Sequence, residues 1–158
     1  MSTEMKRRIF LKRSLAASAV GVAAGAGLLA PQQILAAWNK DAFENKDLNG
    51  SLKSLVGSSD LEASSAIDVK APDIAENGAV VPVTVSTTIE GVESIAVIAS
   101  NNPVPLLANF VLGKGAAGFV STRIKMGKTG DVIAVVKANG KLYSAKKEVK
   151  VTIGGCGG

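Results

Sequence analysis

From residue 66 onward, the chain repeats short runs of Val and Ile that alternate with polar residues and are separated by Gly, Pro and Asn. A period of two places alternate side chains on opposite faces of a strand, and Gly, Pro and Asn are residues that turns require. The pattern predicts seven strands, at residues 67–70, 80–88, 93–99, 106–112, 118–126, 131–138 and 141–153, the last one intact or broken in two. Short strands at this spacing indicate an all-β fold, an immunoglobulin-like antiparallel β-sandwich.

The pair Asn139-Gly140 lies between the last two of these runs and is the strongest turn signal in the chain. A two-residue hairpin loop of type I′ needs positive φ at both central positions, which Asn and Gly adopt most readily. We therefore predict a hairpin that joins strands 131–138 and 141–153. Further turns are expected at residues 90–91, 101–103, 113–115 and 127–130.

The segment before the strands has a helical period instead. Four apolar residues recur on one face of a helix, namely Leu48, Leu52, Leu55 and Val56. We predict a helix between about residues 38 and 57, with Asp47 able to cap its start and Gly57 its end, although Gly50 lies inside it. Residues 38–65 are thus a short N-terminal helical segment and a linker, and residues 66–153 are the sandwich domain.

Residues 1–37 are predicted to be a twin-arginine signal peptide. The segment begins with the basic run Lys6-Arg7-Arg8-Ile9-Phe10-Leu11-Lys12, continues with apolar residues 14–30 and ends in Ala36-Ala37. We expect export to the periplasm and cleavage that leaves roughly 120 residues, the size of one domain. The alternative is an uncleaved membrane anchor.

Charge and composition exclude several classes of function. Most of the formal net charge of +5 lies in the signal segment, and the mature chain has a single arginine, Arg123, so no basic surface for nucleic acid is expected. The chain has no His and one Cys. A haem-attachment motif, a Cys/His zinc site and a Ser-His-Asp or Cys-His catalytic arrangement are therefore impossible within it. We expect no metal and no cofactor.

The single cysteine, Cys156, lies near the C-terminus between glycine pairs: Gly154, Gly155, Gly157 and Gly158. Glycine lacks a Cβ, so residues 154–158 are expected to form a thin, flexible arm beyond the last strand. With no base beside it in sequence, the thiol is expected to have its ordinary pKa of about 8.5. We therefore expect other enzymes to act on this thiol, and we do not expect it to complete a reaction by itself. The alternatives are an incidental cysteine at a frayed terminus and an inter-subunit disulfide.

Four blocks of the sequence, in combination, carry a specific resemblance. They are residues 71–83 (Ala-Pro-Asp-Ile-Ala-Glu-Asn-Gly-Ala-Val-Val-Pro-Val), 102–106 (Asn-Pro-Val-Pro-Leu), 121–126 (Ser-Thr-Arg-Ile-Lys-Met) and 149–158 (Val-Lys-Val-Thr-Ile-Gly-Gly-Cys-Gly-Gly). The chain thereby resembles the SoxY family, the substrate-carrier subunits of the SoxYZ complex in bacterial thiosulfate oxidation. The resemblance extends over nearly the whole mature chain.

The resemblance implies a carrier that partner enzymes act on, and no enzyme activity of its own. Cys156 would be joined oxidatively to thiosulfate by the haem enzyme SoxAX, SoxB would hydrolyse the terminal sulfone group to sulfate, and SoxCD, where present, would oxidise the remaining sulfane sulfur. The stable partner would be SoxZ, in a heterodimer. Competing hypotheses are a structural or adhesion-type sandwich with an inter-subunit disulfide and a small thiol oxidoreductase, which the absence of a second cysteine disfavours.

Two further sets of residues have alternative interpretations. The last strand contains four lysines, Lys141, Lys146, Lys147 and Lys150. They either protect an edge strand or solvated face, or form a positive collar near the base of the arm that attracts anionic substrate and partner enzymes. Asn77-Gly78 and Asn102-Pro103 are interpreted as turn residues in preference to ligand contacts.

Overall fold

The computed structural model describes residues 39–152, which form two helices and nine strands. The helices are α1 (Lys40–Glu44) and α2 (Leu48–Val56). The strands are β1 (Glu62–Ala63), β2 (Ile67–Lys70), β3 (Ile74–Ala75), β4 (Val81–Thr87), β5 (Val92–Ala99), β6 (Leu106–Val111), β7 (Phe119–Ile124), β8 (Gly130–Ala138) and β9 (Lys141–Val151). The predicted signal peptide, residues 1–37, and the predicted arm, residues 154–158, lie outside the described residues.

All seven predicted strands are present, as β2 and β4 to β9, with ends within two residues of the predicted ones. The last strand, β9, is continuous over its described length. Two strands were not predicted, β1 and β3, which have two residues each and pair with β9 in parallel. The sheets of the sandwich are antiparallel as expected, and the outer edge of β9 in addition takes up these two short parallel partners.

The strands form two sheets that follow the immunoglobulin-like order. One sheet has the order β1-β9-β8-β5-β6, with β3 also paired to β9, and the other has the order β2-β4-β7. Among strands β4 to β9, the chain crosses between the sheets after β4, after β6 and after β7, as in Greek-key sandwiches. The all-β sandwich fold is thus confirmed.

The larger sheet is buried on both faces. Its inner face packs on the three-stranded sheet through Val and Ile side chains, including Val83, Val97 and Val149. Its outer face is covered by the two helices, where Leu52 contacts a second cluster with Ile98 and Val135. Double burial explains why residues 95–99 of β5 are all apolar and do not alternate.

The predicted helix is divided in two by its own polar residues. The side chain of Asn45 accepts a hydrogen bond from the backbone N–H of Asp47 at 2.9 Å and turns the chain. Asp47 then caps α2, its carboxylate accepting from the N–H of Gly50 at 2.8 Å, and Gly57 ends α2 with φ of 82°. A Cβ at Gly50 would clash with the side-chain amide of Asn45, which explains a glycine inside the helix. Neither helix of residues 39–152 is long and apolar enough to span a membrane.

The predicted hairpin between β8 and β9 is confirmed. Asn139 and Gly140 have φ of 51° and 75°, as a type I′ turn requires, and Ala138 pairs with Lys141 across it. The Asn139 side chain also donates to the carbonyl of Glu90 at 3.0 Å, which ties the hairpin to the β4–β5 turn. This hairpin starts β9, and β9 leads to the C-terminal end of the described chain.

Candidate functional site

The residues predicted to carry the chemistry, Cys156 and its flanking glycines Gly154, Gly155, Gly157 and Gly158, lie outside the described residues. The structure does describe the end of β9 from which they continue. We call residues 149–152 the arm root. Its geometry determines which part of the chain is fixed to the body of the domain.

On one side, the arm root is held by β8 and the loop before it. Val149 pairs with Gly130 and is fully buried in the sandwich core. Two residues later, the N–H of Val151 donates to the Thr129 hydroxyl at 2.9 Å, and the Val151 side chain packs against the core. One face of the last strand therefore enters the core at both valines.

On its other side, the arm root is held by β3, the strand that sequence reasoning missed. The N–H of Lys150 donates to the carbonyl of Asp73 at 2.9 Å, and the N–H of Thr152 donates to the carbonyl of Ala75 at 3.2 Å. The Thr152 hydroxyl lies 3.4 Å from the carbonyl of Glu76 as well. Backbone pairing therefore continues on this side up to Thr152, the last described residue.

A two-residue strand has no hydrophobic period, so no periodic signal marks β3. Only the residues that flank β3 mark it in the sequence, because Ile74 and Ala75 lie between Pro72-Asp73 and the turn Asn77-Gly78. These residues also belong to the 71–83 block of the family resemblance.

The loops at this end of the sandwich are joined by asparagine side chains. Asn101 donates to the carbonyl of Thr129 at 2.7 Å. Asn102 donates to the carbonyl of Lys125 at 2.7 Å and accepts from the N–H of Gly127 at 2.9 Å. The interpretation of Asn102 as a turn residue is confirmed, and its hydrogen bonds also tie the β5–β6 loop to the β7–β8 loop.

The four lysines of β9 do not form one collar. Lys146 pairs with Asp131 and Lys147 with Asp73, each at 3.0 Å. Lys141 stands at the hairpin, nine residues from Lys150, which at about 3.3 Å per residue is roughly 30 Å away. A collar that includes Lys141 is therefore wrong on geometric grounds.

The alternative interpretation, protection of an edge strand by lysine, is only partly correct. The outer edge of β9 is covered by β1 at residues 143–144 and by β3 at residues 150–151. Between them, the edge has no strand partner among residues 39–152, and Lys146 and Lys147 lie in that stretch. Lys150 is exposed at the arm root and forms no ion pair with the carboxylates that the structure describes.

Comparisons with known proteins agree with this geometry. A family model described as "Sulfur oxidation protein SoxY" matches residues 52–156, from helix α2 to the single cysteine. Among solved structures, the sulfur carrier protein SoxY from Chlorobium limicola f thiosulfatophilum is 45% identical with a TM-score of 0.61, covering 67% of this chain and 96% of that chain.

A superoxide reductase (neelaredoxin) from Ignicoccus hospitalis is also similar, at 22% identity and a TM-score of 0.49, covering 54% of this chain and 80% of that one. This second likeness is too distant to support an argument. A search of curated proteins found no match.

Proposed function

The chain belongs to the SoxY family of sulfur carrier proteins, and we propose that Cys156 is the residue on which it carries sulfur. The observation that supports this most directly is the extent of the family match, which ends at residue 156, on the only cysteine of the chain. A sulfur carrier of the Sox pathway needs a sulfur atom that can form and release a sulfur–sulfur bond. Methionine sulfur cannot do so, since it has no thiol.

The first step proposed is the oxidative joining of thiosulfate to the thiol. The Cys156 thiol and thiosulfate lose one proton and two electrons and form a Cys-S-thiosulfonate, with the electrons passing to the haem of SoxAX. Water then attacks the sulfone group in SoxB, which releases sulfate and leaves a persulfide on Cys156. SoxCD oxidises that sulfane sulfur where it is present, and a last hydrolysis returns the thiol.

In this cycle the chain is a substrate carrier and performs none of the reactions. The absence of histidine removes the usual general base, and no carboxylate cluster suited to a metal occurs among residues 39–152. The proposed role of the domain is to present the arm to partner enzymes, and the pairing of the arm root on both of its sides supports that role. Because the root is held by β8 and β3, the body can stay outside a partner enzyme while only residues beyond 152 enter.

We further propose that the carrier acts in the periplasm, as a heterodimer with SoxZ that meets SoxAX, SoxB and SoxCD in turn. The run Arg7-Arg8-Ile9-Phe10-Leu11-Lys12 supports export by the twin-arginine route, which carries folded proteins. A passenger without a cofactor motif is explained if it must assemble with a partner before export. Co-expression with a SoxZ protein and size-exclusion chromatography of the periplasm test this, and a monomer that ignores SoxZ would contradict it.

The carrier role of Cys156 is tested by intact mass after incubation with thiosulfate and periplasmic extract. The wild-type chain should gain two sulfur and three oxygen atoms, removable by a thiol reductant, because sulfur–sulfur bonds exchange with thiolates. Cys156→Ser should gain nothing and should abolish thiosulfate turnover while leaving the fold unchanged. A chain of twice the mass without reductant and no adduct would favour the structural disulfide instead.

A further inference from the structure

The arm root is held by two different kinds of hydrogen bond. On the β3 side both bonds join backbone to backbone, with the N–H groups of Lys150 and Thr152 as donors. On the other side, the N–H of Val151 donates to a side chain, the Thr129 hydroxyl, at 2.9 Å. One threonine side chain thus replaces the neighbouring strand on this side of the arm root.

The register of β8 against β9 explains why a side chain is needed at this point. Gly130 pairs with Val149, so a strand partner for Val151 would have to come from the residue two positions before Gly130. However, β8 begins at Gly130, and residues 125–129 form the β7–β8 loop. The Thr129 hydroxyl therefore accepts the hydrogen bond that a strand carbonyl would otherwise accept.

The backbone of Thr129 is itself fixed by the loop that follows β5. The side chain of Asn101 donates to the Thr129 carbonyl at 2.7 Å, and the Ser100 hydroxyl accepts from the N–H of Asp131 at 3.0 Å. A Cβ at Gly130, between these two contacts, would lie 2.9 Å from the Asn101 amide nitrogen and 3.0 Å from the Ser100 hydroxyl. The glycine thus allows the loop to approach, and the loop holds the threonine in place.

The hydrogen bond between Val151 and Thr129 constrains the arm root locally and adds little to the stability of the fold. Threonine is branched at Cβ, which restricts its χ1 angle, so the hydroxyl needs little further ordering to accept the bond. The bond is exposed, and water competes for both of its partners. An exposed bond between neutral groups contributes only a small part of the free energy of unfolding.

We propose that Thr129 is a positioning residue of the carrier. Its hydroxyl fixes Val151, and thereby the point and the direction from which the residues beyond 152 leave the sandwich. The proposal rests on the proposed carrier function and adds to it a side chain that is distant from Cys156 in sequence. A fixed origin lowers the conformational entropy that is lost when the arm enters an enzyme, so the benefit falls on binding of the loaded carrier and not on the chemical step.

The test measures the loaded carrier as a substrate of SoxB. In the full mature chain, assembled with SoxZ, the thiolate of Cys156 attacks a central sulfur of tetrathionate, which forms the thiosulfonate adduct and releases thiosulfate. Purified SoxB then hydrolyses the adduct with water, and the sulfate released gives kcat and KM. Thr129→Val, which keeps the shape of the side chain without its hydroxyl, should raise KM about 3- to 10-fold and leave kcat within about twofold of the wild-type value.

Two further variants separate positioning from a general effect of substitution. Thr129→Ser keeps the hydroxyl and should restore a KM close to the wild-type value. Thr84→Val is the matched control, because it removes an exposed hydroxyl that lies 3.0 Å from the hydroxyl of Ser121 on the three-stranded sheet. Both kinetic constants of this control should equal those of the wild type.

Amide hydrogen exchange gives a second readout that does not depend on an enzyme. The amide of Val151 should exchange about tenfold faster or more in Thr129→Val, and at the wild-type rate in Thr84→Val. The midpoint of thermal unfolding should stay within roughly 2 °C of the wild-type value in every variant, because each change removes one exposed hydrogen bond.

The proposal is overturned if Thr129→Val leaves KM unchanged, if Thr129→Ser is as impaired as Thr129→Val, or if the loss appears in kcat alone. Slower loading of Thr129→Val by tetrathionate would also overturn it, since a small reagent needs no fixed direction of the arm. None of these results contradicts the carrier function, because SoxB would still release sulfate from the wild-type adduct. A wild-type adduct from which SoxB releases no sulfate would contradict the carrier function itself and, with it, the role of Thr129.

Discussion

The body of the domain and the arm should be separable in a stability measurement, and Val149 is the residue that tests this. Val149 is fully buried in the sandwich core at the arm root. Val149→Ala removes two methyl groups at about 0.8 kcal/mol each and leaves a small cavity, so the free energy of unfolding should fall by about 2 to 3 kcal/mol. For a domain of this size, that lowers the midpoint of thermal unfolding by roughly 10 °C.

The controls use the same substitution and the tail itself. Val111→Ala, at a side chain that is 80% exposed, should change the free energy of unfolding by less than about 0.5 kcal/mol. Deletion of residues 154–158 should leave the midpoint within roughly 2 °C, because glycines have no side chain to bury. Thermal unfolding followed by circular dichroism gives all three values. A tail deletion that costs as much as Val149→Ala would refute the separation of arm and body.

Three more outcomes are expected. Gly140→Ala should lower the free energy of unfolding by about 1 to 2 kcal/mol in chemical denaturation, because its φ is 75° and the space around an added Cβ is open. The control Gly113→Ala has the same open space and no positive φ, and it should lower the free energy of unfolding by less than about 0.5 kcal/mol. Asn102→Ala should cost about 1 to 2 kcal/mol through its two hydrogen bonds, and Asn77→Ala, with one local bond to Ala79, should cost less. Gly155→Trp should slow thiosulfate turnover by the reconstituted enzymes, while alkylation of Cys156 by a small reagent should proceed at the wild-type rate. Turnover equal to that of the wild-type chain would show that the partner enzymes do not require small residues beside Cys156.

The antiparallel strands could be predicted because each carries its own period and its own turn signals. The hairpin at Asn139 and Gly140 is the clearest case, since two adjacent residues determine both the turn type and the register of β8 against β9. The caps of α2 were equally local, because a side-chain acceptor and a glycine with positive φ act within one turn of the helix.

The missed features have two different causes, one long-range and one local. Strand β3 exists because Ile74 and Ala75 lie beside Lys150 and Val151. A two-residue segment does not indicate a pairing partner more than 70 positions away. The break between α1 and α2 follows from the local hydrogen bonds of Asn45, which the apolar spacing of the leucines conceals. In contrast, the sequence alone is sufficient to exclude a collar of four lysines, since the rise per residue of a strand places Lys141 far from Lys150.

Among residues 39–152, the backbone hydrogen bond nearest the C-terminus is that of Thr152, and it sets the origin of the proposed arm. Thr152 is still paired to Ala75, so four residues lead from it to Cys156, a contour length of about 13 to 14 Å. Without β3, the chain would be held at Val151 only by its bond to the Thr129 hydroxyl in the β7–β8 loop, and the thiol would reach one residue further but from a less fixed origin. Under the proposed carrier function, a partner enzyme that acts on Cys156 while the sandwich stays outside must therefore place its reacting atoms no deeper than that length. The same limit leaves the hairpin end of the sandwich, roughly 30 Å away along β9, out of reach.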